Sequence, residues 1–113
     1  MDRAGIGKVC LALPGVTLDH PFADHHDAYR IGGKMFVMAG EQGGVSFKVS
    51  EIAYEVLTET GRARPAPYLA RAKWVNLPHP EAWDDDELAE HFAIAHRIVA
   101  AKLTKKARAG LGL

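Results

Sequence analysis

Three β-prone runs stand so close together that only antiparallel pairing can join them, and this limits the chain's possible folds more than any other feature. Ala28 to Ile31, Lys34 to Ala39 and Val45 to Val49 are separated by Gly32-Gly33 and by Gly40-Glu41-Gln42-Gly43-Gly44. A parallel pair would need a crossover of about a dozen residues or more. Gly32-Gly33 suits a two-residue hairpin, whose primed turn types require positive φ at one or both central positions. Lys34 to Ala39 is apolar on both alternating faces after Lys34, as a central strand should be. In Val45-Ser46-Phe47-Lys48-Val49, Val45, Phe47 and Val49 face a core, while Ser46 and Lys48 face away. Val16 to His20 reads as a further strand ahead of the hairpin. Trp74 to Leu77, broken by Pro78-His79-Pro80, reads as the last.

Helical periodicity occupies the rest. Ile6, Val9, Cys10 and Leu13 predict a helix over residues 3–13, stopped by Pro14-Gly15. Ser50 caps a second helix that carries Ile52, Ala53, Val56 and Leu57 inward and ends at Gly61 in a left-handed conformation. Asp84 followed by Glu87 forms a capping-box pattern, and Asp85 and Asp86 suit the positive end of a helix dipole. Leu88, Phe92, Ala95 and Val99 make the apolar stripe of that third helix. Arg62 to Lys73 reads as irregular, because Pro65 and Pro67 block a helix. Gly110 and Gly112 predict a frayed tail over residues 107–113. The expected fold class is α+β: a two-layer sandwich, an antiparallel sheet with N-terminal, middle and C-terminal helices mainly on one face. It forms a single domain of residues 1–113.

Fourteen basic and 14 acidic residues cancel, which excludes a strongly basic, indiscriminate nucleic-acid coat. The cancellation hides segregation. Arg62, Arg64, Arg71 and Lys73 have no acid between them, nor do Arg97, Lys102, Lys105, Lys106 and Arg108. Glu81, Asp84, Asp85, Asp86, Glu87 and Glu90 form an acidic run. Cys10 is the only cysteine, so no intramolecular disulfide is available and a reducing cytoplasm is expected. No signal peptide is recognisable, and no apolar run approaches the roughly 20 residues of a membrane span. A monomer is expected, because no long unmatched apolar stripe remains once three helices are packed.

The segment Arg62-Ala63-Arg64-Pro65-Ala66-Pro67-Tyr68-Leu69, followed by Lys73-Trp74-Val75, resembles the MmcQ/YjbR family. The Leu13-Pro14-Gly15 turn, the Gly32-Gly33-Lys34-Met35-Phe36 hairpin, the Phe47-Lys48-Val49 strand and the acidic-capped helix running on to Leu103-Thr104-Lys105-Lys106 fit the same pattern. The resemblance runs from about Gly7 to Arg108. It implies a frataxin-like architecture, an antiparallel sheet covered by helices, and a DNA-binding role. It brings no agreed catalytic residues.

On the residues themselves, phosphate contacts fall to the basic segments. Arg62, Arg64, Arg71 and Lys73 alternate with Tyr68 and Trp74, so bases could stack where phosphates pair. Lys105 and Lys106 extend the second basic segment. Arg30 and Lys48 alternate out of register with the core residues and lie on the sheet's open face. The competing reading makes these cations a solvated surface and gives the chain a protein- or small-ligand-binding role, with Tyr68 and Trp74 as its apolar anchor. Metal handling stands third, and no metal or cofactor is expected. His20, Asp24, His25, His26 and Asp27 are close in sequence, but adjacent histidines in a strand point to opposite faces. His91 and His96 are about 140° apart on a helix and form no i, i+4 pair. No catalytic motif occurs: Gly40 to Gly44 lacks a P-loop ending, and Ser46 and Ser50 have no base beside them. The chain is therefore expected not to be an enzyme.

Overall fold

A computed structural model describes residues 1–113. Asp2 starts helix α1 (Arg3–Leu11), its carboxylate accepting the Gly5 amide at 2.7 Å. Strands β1 (Val16–Asp19) and β2 (Pro21–Asp24) lead into the central hairpin of β3 (His26–Ile31) and β4 (Lys34–Gly40), and β5 (Val45–Lys48) follows. Ser50 caps α2 (Glu51–Glu59), and β6 (Arg64–Pro65) precedes β7 (Trp74–Leu77). Helix α3 (Asp85–Ala100) crosses the sheet, and α4 (Lys105–Gly110) closes the chain. The sheet has six strands in the order β1-β3-β4-β5-β7-β6, and every neighbouring pair is antiparallel. This is the α+β architecture that the clustered glycine turns require.

One face of the sheet is the core face. Tyr29 opposes Val37, Val37 opposes Phe47 and Phe47 opposes Val75, so one buried row crosses four strands. Leu88, Phe92, Ala95 and Val99 of α3 pack on it, with Phe92 edge-on to Phe47 at 5.6 Å. Helix α1 adds Ile6 and Cys10. It comes close because Gly7 has no Cβ: one there would stand 2.8 Å from the Tyr29 hydroxyl oxygen. His96 is buried, and its Nε2 meets the Pro14 carbonyl at 2.8 Å, tying α3 to the end of α1.

Four expectations are corrected. Helix α1 stops at Leu11, two residues early, with Pro14 three positions beyond. Ile52 and Val56 do not point inward: they are 76% and 53% exposed. Helix α2 sits at the β6–β7 edge of the sheet and reaches the core only through Leu57, with Ala53 and Tyr54 half-buried. The tail is not frayed. The Thr104 hydroxyl accepts the Ala107 amide at 3.0 Å to start α4, and Ala107 and Leu111 pack against the core. Lastly, Arg62 to Lys73 holds strand β6 and a short 3-10 turn at Ala70–Ala72, while Pro21–Asp24 is extended.

Candidate functional site

The face opposite α3 carries the polar strand positions, with Arg64 at its edge. Asp19, Ala28, Met38, Ser46, Asn76 and Arg64 face one another in a row across the six strands. Part of that row is wired together. Arg64 Nε donates to Asn76 Oδ1 at 2.8 Å, and Asn76 Nδ2 donates to Ser46 Oγ at 2.9 Å. Two arms rise beside it. Phe22 on β2 forms one, lying edge-on to His26 at 5.6 Å. The Pro67–Leu69 loop forms the other, and Tyr68 at its tip is fully exposed. Between the arms lies a groove of about 880 Å³ with Met35 and Met38 on its floor.

The predicted site residues do not form one surface. Arg30 is committed within the chain: Nε donates to Asp19 at 3.0 Å and a terminal nitrogen to the Gly33 carbonyl at 3.1 Å. Arg62 pairs with Glu87 at 2.7 Å, and its guanidinium lies 4.2 Å above the Trp83 ring. Glu87 is held below the usual carboxylate range mainly by this bond. Its side chain thus serves Arg62, while Asp84 alone caps α3, accepting the Glu87 amide at 3.0 Å. Lys73 Nζ stands 4.8 Å from the centre of the Tyr54 ring.

Two site residues are corrected outright. Trp74 is 5% exposed and cannot stack on a base. Lys48 is 9% exposed, and its ammonium donates to the Ala72 carbonyl. Both lie on the face away from α3, as their alternation requires, but the loop ahead of β7 roofs that end of the sheet. It is pinned there by the Val49 amide on the Lys73 carbonyl at 3.0 Å and the Ala66 amide on the Trp74 carbonyl at 3.1 Å. Burial is the main cause that holds the Lys48 ammonium below the ordinary lysine range; Lys102 adds to it, and Lys73 to a lesser degree.

The remaining cations are free. Arg71, Lys105 and Lys106 are exposed and make no ion pair. So is Lys102, which follows the end of α3 and lies near Lys48. By sequence Lys102 belongs to the second basic segment, but nothing in the linear order links it to Lys48 and Lys73. The groove residues Phe22, Met35 and Met38 were also missed. Met35 and Met38 read as ordinary central-strand residues, and Phe22 lies in a stretch without alternation.

The histidine-rich stretch forms ion pairs and hydrogen bonds. Asp27 receives both Arg3 Nε and a terminal Arg3 nitrogen at 2.7 Å, and His20 Nε2 at 3.0 Å. Arg3 is the chief reason its carboxyl sits below the usual range. His25 Nδ1 pairs with Glu41. His91 is wedged between Phe47 and Trp83, and burial lowers its pKa. No three His, Cys, Asp or Glu side chains converge as a metal site would require, and no helix is long and apolar enough to cross a membrane.

A family model described as YjbR matches residues 11–98. No curated protein matches the chain. Among solved structures, the crystal structure of Deinococcus radiodurans protein DR2400, family-model domain DUF419, is similar with a TM-score of 0.84 at 24% identity. The match covers 96% of this chain and 86% of that one. At that identity the likeness shows the shared fold.

Proposed function

This chain belongs to the YjbR family, and we propose that it is a monomeric, cytoplasmic, non-enzymatic DNA-binding protein that grips the phosphate backbone with the cations near the C-terminal end of α3. One observation carries this reading. The arginines spent on ion pairs, Arg3, Arg30 and Arg62, are matched to Asp27, Asp19 and Glu87. Arg71, Lys102, Lys105 and Lys106 have no such partner. Free cations are what counterion release needs, and paired ones contribute little to it.

The acids support the same orientation. Asp84 at the cap and Asp85 and Asp86 in the first turn crowd the start of α3, one helix length from Lys102. That end would repel a phosphate backbone, so docking uses the other. Contacts of this kind position a protein on DNA without reading bases. Fluorescence anisotropy with a labelled duplex over a salt series tests the proposal. Arg71→Ala and Lys102→Ala should each weaken binding and lower the slope of log affinity against log salt by about 1. Arg62→Ala, whose guanidinium is held by Glu87, should change neither. Failure of the wild type to bind at low salt, or an affinity flat across the series, overturns the reading.

A further inference from the structure

The groove on the open face is lined by none of the cations assigned to phosphate binding and has features a bare sheet surface lacks. Its volume, about 880 Å³, falls in the range of small-molecule pockets. Its two aromatic arms are held out in solvent. Phe22 is 58% exposed and Tyr68 fully so, where burial of each ring would have stabilised the fold. The backbone beneath them is also costly. Only three non-glycine residues in the chain have positive φ: Tyr68 itself (65°), Ala23 beside Phe22 (56°) and Lys73 (61°). Each such conformation costs on the order of 1 kcal/mol and persists only where the surroundings impose it. Both arms of the groove are therefore set at or beside strained positions that hold aromatic rings away from the core.

The chemistry of the lining narrows the occupant. Met35 and Met38 offer a soft, polarisable floor that favours contact with aromatic rings. Phe22 and Tyr68 offer stacking faces. Charge is nearly absent, because Glu41, the one acid in the lining, is already paired with His25. Polar groups remain in need of partners. His26 Nδ1 is the one buried side-chain nitrogen or oxygen in the chain with no hydrogen bond. Ser46 Oγ accepts from Asn76, while its own proton has no acceptor within the chain. We propose that this groove binds a neutral, planar aromatic molecule of drug size, stacked against Phe22 and Tyr68 over Met35 and Met38, and carrying a hydrogen-bond acceptor for Ser46.

The site is independent of the DNA reading and survives its failure. The probe is Nile red, a neutral fused-ring heterocycle, titrated by fluorescence against the full chain. Saturable binding with one site per chain is expected. Met38→Lys, which places a charged stem on the floor, should abolish it. Phe22→Ala and Tyr68→Ala, both at exposed positions that folding does not need, should each weaken it by about tenfold, the equivalent of one lost stacking face. Ile52→Ser, which alters an exposed apolar residue on α2, should leave it unchanged. Circular dichroism of each variant confirms the fold. The proposal is overturned by an absence of saturable binding, by binding indifferent to all three groove variants, by loss in Ile52→Ser instead, or by a signal that follows self-association of the chain.

Discussion

A single buried ammonium changes how the sheet's outer face works. Lys48 faces away from α3, as alternation demands, yet it lies under the loop ahead of β7 and donates to the Ala72 carbonyl. Its charge is carried at a cost, since burial and the nearby Lys102 hold its pKa below the unfolded value of 10.5. Below the folded pKa both states are protonated and the full cost is present. Between the folded pKa and 10.5 the native state sheds its proton first, and the cost fades. Lys48→Met should therefore stabilise the protein by about 1 kcal/mol near pH 7, roughly 4 °C in Tm. The carbonyl it abandons belongs to exposed Ala72 and can turn to water. Thermal melts from pH 7 to 10.5 should show the gap to wild type closing. A uniform loss of stability at every pH would mean that the hydrogen bond outweighs the buried charge.

Among the elements, α2 and α4 reverse the roles their sequences suggest. Helix α2 has good apolar spacing, but its place at the sheet edge leaves Ile52 and Val56 in solvent and only Leu57 buried. Helix α4 has six residues, the last of them Gly110, too few to be stable alone. Tertiary contact holds it. Ala107 and Leu111 pack against the core, next to Leu103, which fills the space above Gly32, where φ is +57° and a Cβ would meet Leu103 carbons at 2.7 Å. Leu111 lies over Gly15. Removal of residues 104–113 should thus cost about 1–3 kcal/mol in urea denaturation, the scale of one or two partly buried leucine and alanine side chains. Ile52→Ser should shift stability by less than about 0.5 kcal/mol. If the truncation is neutral and Ile52→Ser is costly, the packing roles assigned to these two helices are wrong.

For the molecule as a whole, alkaline stability reports the shared core of α1 and the sheet. Cys10 and Tyr29 are both pushed up to about 12 by burial, from 9.0 and 10.0. Above pH 9 the unfolded chain releases first the thiol proton and then the phenol proton, while the native state keeps both. The unfolded state then binds fewer protons, so stability falls as pH rises. The loss begins near pH 9 and runs toward 12. Urea midpoints measured from pH 8 to 11 should decline, and Cys10→Ala, though less stable at pH 8, should decline less steeply. Midpoints level to pH 11 would show that these groups are not enclosed.

The sequence by itself determined what depends on neighbouring residues. Gly32-Gly33 and Gly40 to Gly44 dictated antiparallel pairing, because so few residues cannot make a crossover. Ser50 and Asp84 marked helix starts that the structure shows capped, since a cap is satisfied by an amide three positions on. Alternation in β5 assigned Val45, Phe47 and Val49 to the core. Only the tertiary structure decided which of those exposed or buried expectations hold, and which cations are free. Arg62 and Arg71 look alike in the chain, yet one meets Glu87, 25 positions away, and the other meets no acid. Trp74 and Lys48 sit on the outer face by period, but the loop ahead of β7 folds back over them. The groove between Phe22 and Tyr68 joins segments more than 40 positions apart. Local rules fix the backbone's turns and faces; burial and charge pairing depend on what distant segments bring alongside, and no spacing rule encodes that.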